Sequence, residues 1–324
     1  MIQQIYVYDT ACTDPYRNIA TEKYLLENVK PGSCILYLWQ NAHTVVIGRN
    51  QNAWLECRTE LLNQEGGHLT RRLSGGGAVY HDMGNLNFTF LVCDEDYDVD
   101  RQLSVIQTAC RKLGIEAVKS GRNDLLAEGC KFSGNAFYHS QGKAYHHGTL
   151  LVSADMANLG RYLTPPKAKL EAKGVSSVRS RVTNLSELCP GLTCEGMKTP
   201  LVEAFGEVYG CIPQAFILDG SAQKQIETDM KMLSSWEWLY GPKLPFSFSC
   251  EEKFEWGYIQ IQLQVESGII THADVYSDAM DWQLPELLEN ALSGCRFNLS
   301  DMKHALKDIP ENKDICALLE KQNI

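Results

Sequence analysis

Between Leu69 and Val92 the chain reads as three short apolar runs broken by two glycine-bearing turns: LTRRL, SGGG, AVYHD, MGN, LNFTFLV. In the last run Leu86, Phe88 and Phe90 alternate with Asn87 and Thr89, the two-residue period of a strand. Nothing of helical length separates the runs, so they predict an antiparallel meander and not a β-α-β unit. Upstream, QIYVYD predicts a strand. Asp14-Pro15 predicts a helix start, a capping carboxylate followed by proline at the first helical position. Tyr16, Ile19, Ala20 and Tyr24 then share one helical face. CILYLWQ and TVVIG, separated by Asn41-Ala42-His43, read as a buried hairpin.

Further along, Leu103, Ile106, Cys110 and Leu113 mark a helix ended by Gly114. A strand-rich stretch from Lys131 to Ser153 turns at Ser140-Gln141-Gly142-Lys143, and helical patterns follow around 155–163, 199–209 and 221–233. Gly241-Pro242-Lys243-Leu244-Pro245 reads as a linker. Beyond it come strands near 254–265 and 269–277, turned at Glu266-Ser267-Gly268, then helices near 285–293, 300–307 and 311–322. Strands and helices are grouped and do not alternate, which predicts an α+β chain. A length of 324 residues suits two domains, 1–245 and 246–324.

With 40 acidic against 30 basic residues the net charge is -10, which argues against a protein that binds nucleic acid through bulk counterion release. The acidity is uneven: residues 250–324 hold 14 acids and 6 bases. The opposite extreme is Arg161–Arg181, where Arg161, Lys167, Lys169, Lys173, Arg179 and Arg181 face only Glu171; it is either a solvated face or a phosphate site. Twelve cysteines without a CxxC read as reduced thiols. No secretory signal and no apolar run of bilayer length is visible, so a soluble cytoplasmic protein without membrane or nucleic-acid partners is expected.

The segment from Arg71 to Asp82 is the densest chemical signal. Three consecutive glycines each weaken regular structure by roughly 0.5–1 kcal/mol relative to alanine. Either the bare backbone approaches a ligand closely, or the run is a flexible turn. It is no dinucleotide fingerprint, because Tyr80 stands where a third glycine would be, and no P-loop, because GK[ST] is missing. Arg71 and Arg72 must point to opposite sides of a strand, so only one can serve the loop. A second signal combines Gly121-Arg122-Asn123-Asp124, Lys131-Phe132-Ser133-Gly134-Asn135-Ala136 and His146-His147-Gly148. Lys131, beside a small Ser-Gly pair, either reaches into a pocket or lies in solvent. His146 and His147 face opposite ways in a strand, so one is expected to be packed and the other near a site, without a shared metal. Cys130 is an acyl nucleophile or a bystander.

In this order and spacing, RRLSGGGAVYHDMGNLNFTF, SGRNDLL, KFSGNAFYHSQGKAYHHGTLL and KGVSSVRSRVTNL resemble the bacterial lipoate-protein ligase family. The resemblance runs from about Tyr6 to SSWEWLYG, and the pattern beyond is similar to the family's small C-terminal domain. It implies a fold shared with biotin ligases, a mixed and mainly antiparallel sheet with flanking helices, plus a small α+β accessory domain. The implied activity uses ATP and Mg²⁺ to adenylate lipoate, releasing pyrophosphate. It then passes the lipoyl group to one lysine of apo lipoyl domains, those of 2-oxoacid dehydrogenase complexes and of the glycine cleavage H protein. By motif match, Arg72, Gly77, Ala78, Val79, Tyr80 and Lys131 would bind ATP, and Lys131, Arg72, Gly76 and His147 would bind lipoate. Lys131 would be catalytic, Asn123 and Asp124 would line the adenylate and metal side with Asp124 on the metal, and KGVSSVRSRVTNL would close over the adenylate. Within the same family, a lipoyltransferase restricted to preformed lipoyl-AMP is the nearest alternative, and an octanoyltransferase working through a thioester is a second. A non-catalytic binder would be expected to have lost the glycine loop or Lys131, and both are intact.

Overall fold

The computed structural model describes residues 2–121, 124–163, 182–240, 246–277, 279, 281, 283–322 and 324. The chain divides into two units, Met1–Gln51 with Gly67–Ser234, and Asn52–Gly66 with Ser235–Ile324. The first contains strands β1 (Gln4–Asp9), β2 (Ser33–Trp39), β3 (Thr44–Ile47), β4 (His68–Arg71), β5 (Val79–His81), β6 (Asn85–Cys93), β7 (Ala117–Ser120), β8 (Asp124–Ala127), β9 (Cys130–Ser140), β10 (Lys143–Leu151) and β11 (Gln214–Ala215). Its longer helices are α1 (Pro15–Asn28), α2 (Val99–Lys112), α3 (Met156–Tyr162), α4 (Cys194–Tyr209) and α5 (Gly220–Leu233).

Eight strands form one sheet in the order β11-β1-β2-β6-β10-β9-β8-β7, parallel across β11, β1 and β2 and antiparallel elsewhere. Central β2 and β6 are buried along their whole length. One face presents Leu36, Leu38, Phe88 and Phe90 to a core completed by Val105, Ile106 and Ala109 of α2 and Met197, Leu201 and Phe205 of α4. The other face presents Tyr37, Trp39, Asn87 and Thr89, and α1 packs over it. As the sequence predicts, Asp14 caps α1: its Oδ1 accepts from the backbone N–H of Tyr16 at 2.9 Å and of Arg17 at 3.1 Å. α5 flanks α1, with Lys23 Nζ 2.9 Å from Asp229 Oδ1.

Two local expectations are corrected. LTRRL and AVYHD are not neighbours in a meander: β4 and β5 lie on either side of β3 in a separate three-stranded sheet, and β6 belongs to the large one. Arg72–Ala78 is too long for a tight hairpin, and it is drawn across the end of β3 by the Arg49 N–H to Ser74 O bond of 2.9 Å. Nor do CILYLWQ and TVVIG pair as a hairpin. At Asn41-Ala42-His43 the chain is turned away from β2 by α1 and its cap, since Asn18 Nδ2 donates to Gln40 O at 2.8 Å and the Ala42 N–H to Thr13 O at 3.1 Å.

In the second unit, β12 (Phe246–Phe254), β13 (Gly257–Glu266) and β14 (Ile269–Ser277) form an antiparallel sheet. Ile259, Ile261, Leu263 and Val265 alternate inward from β13 against helices α6 (Leu284–Leu292), α7 (Leu299–Leu306) and α8 (Asn312–Glu320). Asn52–Gly66 counts with this unit: the Trp54 ring lies 4.9 Å from Tyr240 and 5.2 Å from Phe297. The linker reading at Gly241–Pro245 lies outside the described residues.

Candidate active site

Directly opposed residues of antiparallel strands share a face. Trp39 opposes Asn87, Asn87 opposes Thr149, the Gly134 N–H lies 3.3 Å from Thr149 Oγ1, and Gly134 opposes Asp124. This row crosses four strand spacings, about 19 Å. A second row on the same face holds Tyr37, Thr89, His147 and Ala136. Above these rows lies a cavity of about 210 Å³, closed by Ile19 and Glu22 of α1, Val46 of β3, His81 of β5 and the loop Gly76–Val79.

Arg72 shapes that loop. Its Nε donates to Ser74 Oγ (3.1 Å), its Nη2 to Gly75 O (2.7 Å) and Gly77 O (2.8 Å), and its Nη1 to Val46 O (3.3 Å). Burial lowers its pKa to about 10, which leaves the guanidinium charged at neutral pH. Gly76 has φ +95°, and a Cβ there would meet Arg72 Nη2 at 2.8 Å, so this position tolerates only glycine. Arg71 points the other way, as expected, and its Nη1 donates to the carbonyls of Gly48, Arg49 and Gln51.

Lys131 enters from a bulge. The β8/β9 register shifts between Leu125, opposite Ser133, and Leu126, opposite Lys131, so Phe132 is the extra residue and the lysine is re-aimed. Its Nζ lies 2.6 Å from Asp124 Oδ1, and its side chain crosses the bare face of Gly134, where a Cβ would meet Nζ at 3.0 Å and Cε at 3.2 Å. The Ser-Gly pair in KFSG therefore makes room for the lysine. The two histidines divide as expected. His146 is packed among Phe88, Phe90 and Phe137. Burial, then the charges of His147 and Lys119, depress its pKa to about 3. His147 lines the cavity, its Nδ1 2.8 Å from Glu22 Oε1 and its Nε2 2.8 Å from Ser74 Oγ.

The "Lipoyl protein ligase A/B catalytic domain" family matches residues 14–206, and "Bacterial lipoate protein ligase C-terminus" matches residues 243–324. The chain is 40% identical over 305 residues to "Lipoate-protein ligase A" of Psychrobacter cryohalolentis, covering 92% of this chain and 90% of that one. The chain belongs to the lipoate-protein ligase family. "Lipoate-protein ligase A" of Bdellovibrio bacteriovorus is 39% identical over 315 residues, covering 95% and 93%. Among solved structures, P. falciparum LipL1 in complex with lipoate aligns with TM-score 0.64 at 28% identity over 98% of both chains. The α+β ligase fold expected from the motifs is thereby borne out.

In this lipoate-protein ligase, Arg72, Gly76, Gly77, Ala78, Val79, Lys131 and His147 converge on the cavity. Tyr80 does not: its ring stacks on Tyr162 at 5.3 Å, beside His43. Asp124 reaches the site through Lys131, and Cys130 is not in the lining. Asn123, and Lys167 to Arg181 of the basic stretch with the KGVSSVRSR part of its motif, lie outside the described residues; Val182 and Thr183 do not, and the Thr183 N–H donates to Lys131 O at 3.0 Å. Sequence reasoning missed Glu22, Trp39, Ser74, His81, Asn87 and Asn135. Glu22 carried a legible signal, a carboxylate three residues from Ile19 and three from Leu25 on the inward stripe of α1.

Proposed function

We propose that this ligase adenylates lipoate with ATP at the Lys131 end of the cavity, releasing pyrophosphate, and transfers the lipoyl group from lipoyl-AMP to a lysine of an apo lipoyl domain, releasing AMP. The observation that carries this reading is the ammonium of Lys131 laid over Gly134 in a cavity that Gly76 and Gly77 also line, at the end of a slot that runs across the sheet to Trp39. Lipoate's carboxylate and the α-phosphate of ATP are both anions, and their approach needs fixed positive charge in place beforehand. Lys131 supplies one charge and buried Arg72 another, while Gly76 and Gly77, without side chains, let phosphate approach the backbone. The apolar carbons of lipoate, about seven, favour burial by about 5 kcal/mol. The slot walls of Ile19, Trp39, Val46 and Ala136 suit them.

ATP binding is assigned to Arg72, Gly77, Ala78, Val79 and Lys131, and lipoate binding to Lys131, Arg72, Gly76 and His147. Among the described residues no three His, Cys, Asp or Glu side chains are grouped so as to hold a metal ion by themselves. Mg²⁺ is held by one or two carboxylates together with substrate phosphates, so Asp124 alone suits it. When bound it would neutralise charge on the departing pyrophosphate. In the second step the acceptor lysine must be neutral, which costs about 4.6 kcal/mol near pH 7 from a pKa of ~10.4. Desolvation on docking supplies part of this. Because the anhydride is already activated, no enzyme nucleophile is required. We assign catalysis to residues 1–245, an accessory role to 246–324, the E2 lipoyl domains and H protein as acceptors, and the cytoplasm as the location.

Purified protein with lipoate, Mg·ATP and an apo lipoyl domain should give an acceptor mass gain of one lipoyl group and stoichiometric AMP. A gain only when lipoyl-AMP is supplied would leave a transferase in its place. Lys131→Ala should cut pyrophosphate release at least about a hundredfold, the loss typical of a charge aimed at the transition state.

A further inference from the structure

Two side chains that line the cavity carry a buried polar atom without a partner: Glu22 through Oε2 and His81 through Nε2. Buried polar atoms are otherwise almost always paired, so two in one cavity point to a ligand that completes them.

The surroundings fix what each atom offers. Asn18 Nδ2 is fixed as the nitrogen by two backbone carbonyls, Cys12 O at 3.1 Å and Gln40 O at 2.8 Å, so the Asn41 atom 3.0 Å from it is the oxygen Oδ1, and its two hydrogens are shared among the three acceptors. That turns Asn41 Nδ2 towards His81 Nδ1 at 3.3 Å, with Asn87 Nδ2 behind it at 3.5 Å. His81 Nδ1 is therefore an acceptor and its proton sits on Nε2, a tautomer read from the network. Burial, with Arg72 and His147 nearby, depresses its pKa to about 3, in keeping with a neutral ring. Glu22 is held through its other oxygen: Oε1 accepts from Thr89 Oγ1 at 2.7 Å and from His147 Nδ1 at 2.8 Å. Thr89 Oγ1 in turn accepts from Trp39 Nε1 at 3.1 Å, and the Trp39 and His81 rings are 6.2 Å apart. The free acceptor and the free donor stand over β6, where Thr89 holds Glu22 and Asn87 lies against His81, two strand spacings or about 10 Å from Gly134 on β9.

We propose that Glu22 Oε2 and His81 Nε2–H read the far end of the acyl chain, favouring a dithiol terminus over the cyclic disulfide, and either over a methyl terminus. This rests on the reading that the acid's carboxylate lies at Lys131. An octanoyl methyl group would dehydrate both atoms and pair neither. A dithiolane sulfur accepts from His81 but has no proton for Glu22. In dihydrolipoate one thiol donates to Glu22 while the other accepts from His81, so both are completed.

The test is calorimetric titration of the protein, its own thiols pre-reduced, with lipoate, with dihydrolipoate kept reduced by a phosphine, and with octanoate with and without that phosphine as a control. Each completed group should tighten binding about tenfold, the order being dihydrolipoate, lipoate, octanoate. Glu22→Gln keeps an acceptor for Thr89 and His147 but places an N–H where the free oxygen stood, so the preference of dithiol over disulfide should vanish. Equal affinity of the wild type for all three acids overturns the inference and leaves the lipoate reading standing. An unchanged dithiol preference in Glu22→Gln removes Glu22 from it. If none of the three binds, the reading that it rests on falls as well.

Discussion

Gly134 lacks a side chain where Lys131 needs the space, and the two residues stand three apart in one motif. A methyl group there displaces only the flexible end of a lysine, so Gly134→Ala should leave the unfolding free energy within about 0.5 kcal/mol of wild type. The same change should lower the rate of pyrophosphate release about tenfold or more, a split that a merely structural glycine would not give. His81 and His146 make a second prediction at this scale. Both are held neutral, with pKa values depressed to about 3 chiefly by burial, against about 6.5 in an unfolded chain. Above pH 6.5 neither group distinguishes the folded from the unfolded state. As pH falls from 6.5 towards 3 the unfolded chain takes up protons that the native one refuses, so stability declines by up to about 1.4 kcal/mol per pH unit for each histidine. Urea unfolding midpoints from pH 7.5 to 4.5 check this, and a variant with His146→Gln should show a shallower decline.

α1 carries Ile19 and Glu22 into the cavity, so what fixes its first turn also fixes the site. Asp14→Ala should cost about 1 kcal/mol of stability, read as a lower thermal midpoint, because two backbone N–H groups lose their acceptor. This cap was legible in the sequence because Asp14 acts on residues two and three places away. So were the opposed faces of Arg71 and Arg72 and of His146 and His147, which follow from strand geometry alone. The partners of β3 were not legible. LTRRL and AVYHD are separated by a loop that crosses the end of a strand found more than twenty residues earlier, and no local pattern encodes such an insertion. Glu22 was overlooked for a related reason: the two donors to its carboxylate come from β6 and β10, far along the chain.

At the scale of the whole molecule, the chain passes between the two units at three places, after Gln51, Gly66 and Ser234. A protease site introduced within Gly241–Pro245 would leave residues 52–66 in the N-terminal fragment, yet Trp54 packs in the second unit against Phe297. The nicked protein should therefore elute from gel filtration as one species under native conditions, and separation into two peaks would contradict the division of units described above. The same feature sets a rule for engineering. The second unit is encoded in two places, so swapping only the segment after Pro245 for that of a relative would set Trp54 against aromatic rings with which it did not evolve. A chimera that keeps this packing has to import residues 52–66 along with the tail.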